Sequence, residues 1–162
     1  MSKLDPDTLK ALHAAREAEK EQALFYGALV TRAEAAGDLL AAERLNGLHA
    51  DEQHHLSRLT ARLIELGETP ADLRGASMPP VALEGWEETA RARETAEIER
   101  YEWLLQLPID DETTVRIQEI LEVERLHREN LGGKWMRAAP RGEGRGKGTG
   151  TGTGKGTGKG TG

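Results

Sequence analysis

The sequence of 162 residues contains no cysteine. This absence excludes disulfide bonds, thiolate metal sites, iron–sulfur clusters and a cysteine nucleophile, so carboxylates and histidines remain as the available metal ligands. The sequence also lacks an apolar run of about 18 residues, which a helix needs to cross a membrane. Its first seven residues contain no apolar segment of the secretory kind. We therefore expect a cytoplasmic protein with no membrane partner.

Glycine is concentrated at the C-terminal end, where it occupies every second position from Gly142 to Gly162. Such a composition cannot bury enough apolar surface to offset the entropy of ordering the chain. We predict a single domain of residues 5–135, followed by a disordered Gly/Thr/Lys tail of residues 136–162. From Arg141 onward the tail carries five basic residues and one acidic residue, which motivates weak polyanion binding as an alternative. It has no aromatic residue for base stacking, and we do not expect it to bind nucleic acid.

Helical periodicity and helix-stopping residues predict four helices. The first extends from Asp5 or Asp7 to about Ala36, the second from about Asp38 to Leu66, and the third from about Trp86 to Leu107. The fourth follows a turn at Ile109-Asp110-Asp111 and ends at about Gly132. The link between the first two is so short that they must be antiparallel neighbours. Residues 67–85 contain six glycines and prolines, which predict a long crossover between the second and third helices. The sequence therefore predicts an all-α, antiparallel four-helix bundle.

A carboxylate and an imidazole lie three residues apart, at Glu52 and His55, inside a stripe of leucines. The leucines of this stripe are Leu45, Leu48, Leu59, Leu63 and Leu66. Together with the pair they follow one another at spacings of three and four residues, which mark one face of a helix. Both polar side chains are therefore predicted to point into the core. A buried ionised carboxylate without a partner costs several kcal/mol, so Glu52 needs a cation or a hydrogen-bond donor.

The two halves of the chain repeat one pattern. In each half a glutamate is followed by a tyrosine seven residues later, and then by a Glu-x-x-His motif on the next helix. The repeated residues are Glu19, Tyr26, Glu52 and His55 in the first half, and Glu94, Tyr101, Glu124 and His127 in the second. One glutamate from each of two helices and a Glu-x-x-His motif from each of the other two form the ligand set of a carboxylate-bridged dinuclear metal site.

The spacing also predicts a role for each ligand. Residues three apart project from nearly the same face of a helix, so each motif offers a carboxylate that can bridge two metals and an imidazole that can bind one. Glu52 and Glu124 are the predicted bridges, and Glu19 and Glu94 are the predicted terminal ligands. Four carboxylates neutralise two divalent cations, and this oxygen-rich set favours iron or manganese over tetrahedral zinc. We expect two iron ions, with manganese or a mixed pair as an alternative.

The two tyrosines are the candidate catalytic residues. Tyr26 and Tyr101 lie two turns along the same faces as the terminal glutamates, where a phenol can donate a hydrogen bond to a ligand or to a bound oxygen species. The alternative is core packing with a hydrogen-bonded hydroxyl.

Residues 5–135 resemble a rubrerythrin-type member of the ferritin-like superfamily. The resemblance rests on Glu19 with Tyr26, on both Glu-x-x-His motifs, and on Glu94-x-x-Glu97 in the third helix. It implies a ferritin-like bundle, and it implies that Glu97 is a further ligand that exchanges when the metals change oxidation state. It also implies a diferrous site that reacts with hydrogen peroxide or dioxygen, or that oxidises Fe(II) as a substrate.

The chain departs from the rubrerythrin pattern at two points. Without cysteine it has no rubredoxin module, so a peroxidase would need an external electron donor. The position of His127 is often a carboxylate in rubrerythrins, which makes this ligand set closer to that of bacterioferritin-like proteins and favours a ferroxidase. Trp86, Trp103 and Trp135 are predicted packing or subunit-contact residues, and we expect a homo-oligomer of two or more subunits.

A metal-free structural or interaction protein is the alternative from another class. In that case the inward glutamates would pair with the histidines and with arginines near the stripes, namely Arg16, Arg93 and Arg125. From the residues alone, Glu97 is equally well a rim residue paired with Arg93 or Arg100. His13, His49 and His54 lie off the stripes and are predicted surface residues.

Overall fold

The computed structural model describes residues 4–132, and this part of the chain contains four α-helices and no β-strand. The helices are α1 (Pro6–Ala35), α2 (Leu39–Glu65), α3 (Trp86–Leu104) and α4 (Asp111–Gly132). The prediction of an all-helical fold with four helices is confirmed for these residues. Within residues 4–132, none of these helices is long and apolar enough to cross a membrane. The predicted tail of residues 136–162 lies outside the described residues.

Caps and glycines determine where α1 and α2 begin and end. The Asp5 carboxylate accepts a hydrogen bond from the Thr8 N–H at 2.9 Å, and Pro6 occupies the first helical position. Asp38 accepts in the same way from the Ala41 N–H at 3.1 Å. Gly37 and Gly67 follow the two helices with φ angles of 73° and 84°, which a residue with a Cβ rarely adopts.

The third helix is shorter than predicted and ends at Leu104, not at Leu107. The chain turns tightly after it: the Leu107 N–H donates to the Leu104 carbonyl at 3.1 Å, and the Ile109 N–H donates to the Leu107 carbonyl at 2.8 Å. Pro108 disfavours the helical conformation in the residue before it, which explains why the helix unwinds before reaching the proline. Asp110 then begins α4 by accepting from the Thr113 N–H at 2.7 Å.

Cross-helix contacts show the directions of the helices. Residue numbers rise along one helix of each pair as they fall along its neighbour. The contacts are Arg16 with Thr60 and Ala23 with His49 between α1 and α2, Asp51 with His127 and Arg62 with Thr113 between α2 and α4, and Glu19 with Tyr101 and Glu21 with Arg93 between α1 and α3. Each of these pairs is therefore antiparallel, which leaves α1 parallel to α4 and α2 parallel to α3.

The buried apolar side chains form two clusters at opposite ends of the four helices. The first cluster includes Leu12, Leu59, Leu63, Ile98, Leu104 and Ile117, and the second includes Leu29, Leu45, Leu48, Trp86, Ala90 and Leu131. Every helix contributes to both clusters. The stretch of each helix between its two contributions carries buried polar side chains, which together form a polar layer across the middle of the core.

Candidate metal centre

The polar layer contains the six ligands predicted by the repeat. Glu19, Glu52, Glu94 and Glu124 have no exposed surface, and His55 and His127 are 2% and 5% exposed. The helical period explains this burial, because each ligand lies on the face that also carries the apolar residues of its helix. Glu52 and His55, for example, lie between the buried residues Leu48 and Leu59.

The six side chains form two groups that share two members. The first group is Glu19, Glu52, His55 and Glu124, and the second is Glu52, Glu94, Glu124 and His127. In each group one potential ligand atom from every residue lies within 4.8 Å of the others. The shared members are Glu52 and Glu124, the two glutamates predicted to bridge. Each group therefore combines one imidazole, one carboxylate of its own and two shared carboxylates.

Each histidine faces the glutamate of the opposite Glu-x-x-His motif. The distance from His55 Nδ1 to Glu124 Oε1 is 2.8 Å, and that from His127 Nδ1 to Glu52 Oε1 is 3.3 Å. The two ring centroids are 6.4 Å apart. These nitrogens and oxygens nevertheless have no hydrogen-bond partner, because the contacts lack hydrogen-bond geometry.

Unpartnered buried atoms are concentrated in this layer. Ten buried side-chain nitrogen and oxygen atoms among the described residues have no hydrogen-bond partner. Eight of them belong to the six ligands: Glu19 Oε2, Glu94 Oε2, both oxygens of Glu52 and of Glu124, and Nδ1 of His55 and of His127. Leaving a buried polar atom unpartnered costs about 1–3 kcal/mol, so a cation bound among these atoms would be stabilising. Carboxylate oxygens and imidazole nitrogens at this density fit divalent cations.

Burial and mutual contacts shift the pKa values of the four ligand glutamates in opposite directions. Burial raises the pKa of Glu19 and of Glu94 well above the ordinary glutamate value, and neighbouring carboxylates add to the effect. Burial opposes ionisation of Glu52 and Glu124 as well, but contacts with the histidines help to outweigh it and hold both pKa values below the ordinary one. The layer therefore favours the neutral form of Glu19 and Glu94 and the ionised form of Glu52 and Glu124.

The positive charges of the two histidines balance the negative charges of Glu52 and Glu124. Burial by itself lowers the pKa of each imidazole, but contacts with Glu124 and Glu52 outweigh it. The pKa of His55 is raised to about 9, and that of His127 is raised further. Both imidazoles are consequently protonated at neutral pH. With Glu19 and Glu94 in the neutral form that burial favours, the six side chains together carry no net charge.

The two tyrosines close the polar layer from opposite sides. The Tyr26 hydroxyl donates to Glu94 Oε1 at 2.5 Å, and the Tyr101 hydroxyl donates to Glu19 Oε1. Each tyrosine thus binds the glutamate of the other half of the chain. Burial raises the pKa of both phenols well above the ordinary value, so both remain donors. Their packing with a hydrogen-bonded hydroxyl is established, and their catalytic role remains a prediction.

Glu97 lies in the layer but belongs to neither group of four. Its side chain is 6% exposed, and its Oε2 atom has no partner. Its Oε1 atom is 3.9 Å from Arg100 Nε. Burial, partly offset by Arg100, raises the pKa of Glu97 to about 7. Glu97 therefore has an oxygen free to bind a cation, and its role as a ligand remains a prediction.

Sequence reasoning missed two residues that contact the ligands. Gln22 is 1% exposed, and its amide nitrogen donates to Glu94 Oε1 at 3.4 Å. Asp51 Oδ2 lies 2.8 Å from His127 Nε2. A carboxylate on the second nitrogen of a ligating histidine orients the ring and increases its basicity. The signals were present in the sequence, since Gln22 lies one turn from Glu19 and Asp51 directly precedes Glu52.

A pocket connects the surface with the His127 side of the layer. Its volume is about 410 Å³, and its lining includes Leu48, Asp51, His127, Asn130 and Leu131. A small molecule or a hydrated cation can therefore approach His127 and Asp51 from solvent between α2 and α4.

The arginines expected to pair with the inward glutamates have hydrogen-bond partners outside the six ligands. Arg16 donates to Thr60 and to the Ala71 carbonyl, Arg93 to Gln22 and Glu21, and Arg125 to Glu102. His54 is exposed as predicted, and His13 and His49 are both partly exposed, with the Nδ1 atom of His49 2.8 Å from the Ala23 carbonyl. Trp86 is a packing residue, Trp103 is 53% exposed, and Trp135 lies outside the described residues.

Comparison of the chain with protein-family models, with curated proteins and with solved structures gave no match. The class of protein is therefore defined by fold and site. Residues 4–132 form an all-helical protein whose buried carboxylates and histidines can hold metal ions.

Proposed function

We propose that this protein is a ferritin-like, rubrerythrin-type four-helix bundle that binds two iron ions and acts as a ferroxidase or a peroxidase. Its substrates would be Fe(II) with dioxygen, or hydrogen peroxide. The observation that carries this proposal is the pair of four-residue groups that share Glu52 and Glu124. A carboxylate-bridged dinuclear centre requires glutamates that contact both metal positions. A four-helix bundle with helix directions such as those of α1 to α4 can bring such glutamates together.

The donor set supports iron more strongly than zinc. The layer offers carboxylates in excess over imidazoles and no thiolate, a combination that suits iron or manganese. Glu19 and His55 would hold one ion and Glu94 and His127 the other. Bound iron supplies the one-electron chemistry that the side chains of this chain lack.

The residues of the chain provide position, charge and exclusion of water. Tyr26 and Tyr101 each hold one oxygen of a terminal glutamate and leave the other oxygen unpartnered, so that it can face a cation. The apolar clusters on both sides of the layer keep bulk water out, which strengthens every electrostatic contact inside it. The pocket beside His127 offers a way in for Fe(II), dioxygen or peroxide.

The missing cysteines favour ferroxidase over peroxidase chemistry. A ferroxidase takes its electrons from Fe(II) itself, whereas peroxide turnover needs a reductant, and this chain has no thiol and no cysteine-bound iron to supply one. A peroxidase reaction would therefore depend on a separate electron donor. The histidine pair also gives the two halves matching ligand sets, as in bacterioferritin-like sites.

Metal content per chain tests the proposal. The full chain is loaded anaerobically with Fe(II), desalted and analysed for iron, and we expect about two irons per chain. Glu52→Gln removes a shared ligand and should abolish dinuclear binding. Glu122→Gln makes the same change on the exposed face of α4 and should leave two irons bound. Rapid mixing of the loaded protein with dioxygen or with peroxide then separates the two activities. Two irons and full activity in Glu52→Gln would refute the assignment.

A metal-free structural protein remains the second candidate, because the six side chains already balance in charge without a metal. It predicts the same melting temperature with and without EDTA. A site that binds metal only in the folded state predicts a lower melting temperature after chelation. The two candidates are therefore separated by one thermal denaturation experiment.

A further inference from the structure

The internal repeat is broken at one buried position. Glu97 lies three residues after Glu94, and Gln22 lies three residues after Glu19. Both side chains are buried, with 6% and 1% exposure. An amide therefore occupies, in the first half, the place that a carboxylate has in the second half.

Contacts on both sides of the Gln22 amide determine its orientation. Arg93 Nε donates to Gln22 Oε1 at 2.8 Å, so the amide nitrogen must be the atom that faces Glu94 Oε1 at 3.4 Å. The Arg93 guanidinium is itself held over the Phe25 ring, 4.5 Å from its centroid. Gln22 thus directs a donor at Glu94 and turns its only oxygen away from the ligands.

Glu97 occupies the matching position in the second half, and it differs from Gln22 in having an unpartnered oxygen. Glu97 has one oxygen with no hydrogen-bond partner. Gln22 lies one turn before Tyr26, whose hydroxyl donates to Glu94, and Glu97 lies one turn before Tyr101, whose hydroxyl donates to Glu19. The repeat therefore places Glu97 on the side of the first group, as it places Gln22 on the side of the second. The first group therefore has a fourth carboxylate beside it, whereas the second has an amide whose oxygen faces Arg93.

We propose that Gln22 makes the two metal positions unequal: it denies an additional oxygen ligand to the position of Glu94 and His127, so that a divalent cation binds first at the position of Glu19, His55 and Glu97. This inference rests on the proposed function, since it assumes that both positions bind metal. Its physical basis is that more anionic ligands bind a hard cation more tightly. The unequal positions follow from the one position at which the repeat is broken and not from the six repeated ligands.

Titration of the full-length, metal-free protein with Mn(II), followed by electron paramagnetic resonance, tests the inference without any activity assay. The unaltered protein should bind two ions in two steps separated by about tenfold or more in affinity. Gln22→Glu should strengthen the second step by about tenfold and bring the two steps together. Gln53→Glu is the matched control, because it adds the same charge next to Glu52 but on the exposed face of α2, and it should leave both steps unchanged.

Glu97→Gln tests the same inference from the other half. It gives both halves an amide, so the first step should weaken until it approaches the second. It also removes a buried carboxylate and adds none, so it keeps the inference testable if Gln22→Glu does not fold. Circular dichroism before the titration shows which variants are folded.

The outcomes distinguish a failure of the proposed function from a failure of this inference alone. Binding of no Mn(II) by the unaltered protein would overturn the proposed function and this inference with it. Binding of two ions with a single affinity would overturn only the inference. The same holds if both steps are unaffected in the folded Gln22→Glu or Glu97→Gln variant.

Discussion

Binding of two divalent cations should release about four protons from the protein at pH 7. In the metal-free protein, the raised pKa values of Glu19, Glu94 and both histidines favour the protonated form of all four groups. A metal ligand must be a carboxylate or a neutral imidazole. Each of these four groups therefore loses one proton when the pair of ions binds.

The charge balance leads to the same number. The metal-free layer has two ionised glutamates and two imidazolium ions, which cancel. Two divalent cations are balanced by four carboxylates with neutral imidazoles, which again cancel. Four protons must leave to pass from one neutral state to the other. The product of the two binding constants should consequently rise by about 10⁴ per pH unit near pH 7. The rise becomes less steep above pH 9, where His55 has already lost its proton.

Calorimetric titration with Mn(II) in buffers of different ionisation enthalpy measures this release. The observed binding enthalpy should change linearly with the buffer enthalpy, with a slope of about four protons per two ions. Glu97, whose pKa is raised to about 7, can add less than one further proton. A slope of one proton or fewer would refute the assigned protonation states, even if two ions bind.

Three further outcomes follow from individual contacts. Asp51→Asn should weaken metal binding at the His127 position by about 10–100-fold without changing the final stoichiometry, and an unchanged affinity would show that this contact does not support the ligand. Tyr101→Phe leaves a Glu19 oxygen without its donor and should lower the stability of the metal-free protein by about 1–3 kcal/mol in urea unfolding; no loss would mean that another group replaces the hydroxyl. The raised pKa of His55 stabilises the metal-free protein below about pH 6.5, and this contribution is lost as the pH rises through about 9. Urea unfolding in EDTA should accordingly show a lower free energy at pH 9.5 than at pH 6, with about 3 kcal/mol of the difference coming from His55. A higher free energy at pH 9.5 would contradict the charged state of the imidazole.

Local sequence signals were sufficient for most of the helix bounds. Gly37 and Gly67 end helices because their left-handed backbone is open mainly to glycine, and Asp5 begins one because its carboxylate reaches the free N–H groups of the first turn. The sequence predicts the end of α3 too late, at Leu107, because the helical periodicity continues to this residue. Pro108 already disfavours a helix just before it.

The ligand faces were also predictable, whereas their partners on other helices were not. Spacing along a helix identifies which residues share a face, so it placed Glu52 with His55. Spacing does not give the rotation of one helix relative to the next. This rotation determines that Asp51 contacts His127 and that Gln22 contacts Glu94. Comparison of the two halves position by position could have identified Gln22, because it corresponds to Glu97.

The crossed bonds of Tyr26 and Tyr101 have a consequence for cutting the chain. Each hairpin, α1 with α2 or α3 with α4, carries a terminal glutamate whose tyrosine partner is in the other hairpin. A chain divided within residues 67–85 should yield two fragments that bind metal poorly when alone and regain the site when mixed. Two copies of the first hairpin would also supply four glutamate and two histidine ligands, together with the two tyrosines. Such an assembly would be symmetric, with Gln22 in both copies and without the carboxylate of Glu97. The arrangement is thus one that gene duplication and fusion of a hairpin can produce, with the asymmetry added afterwards by single substitutions.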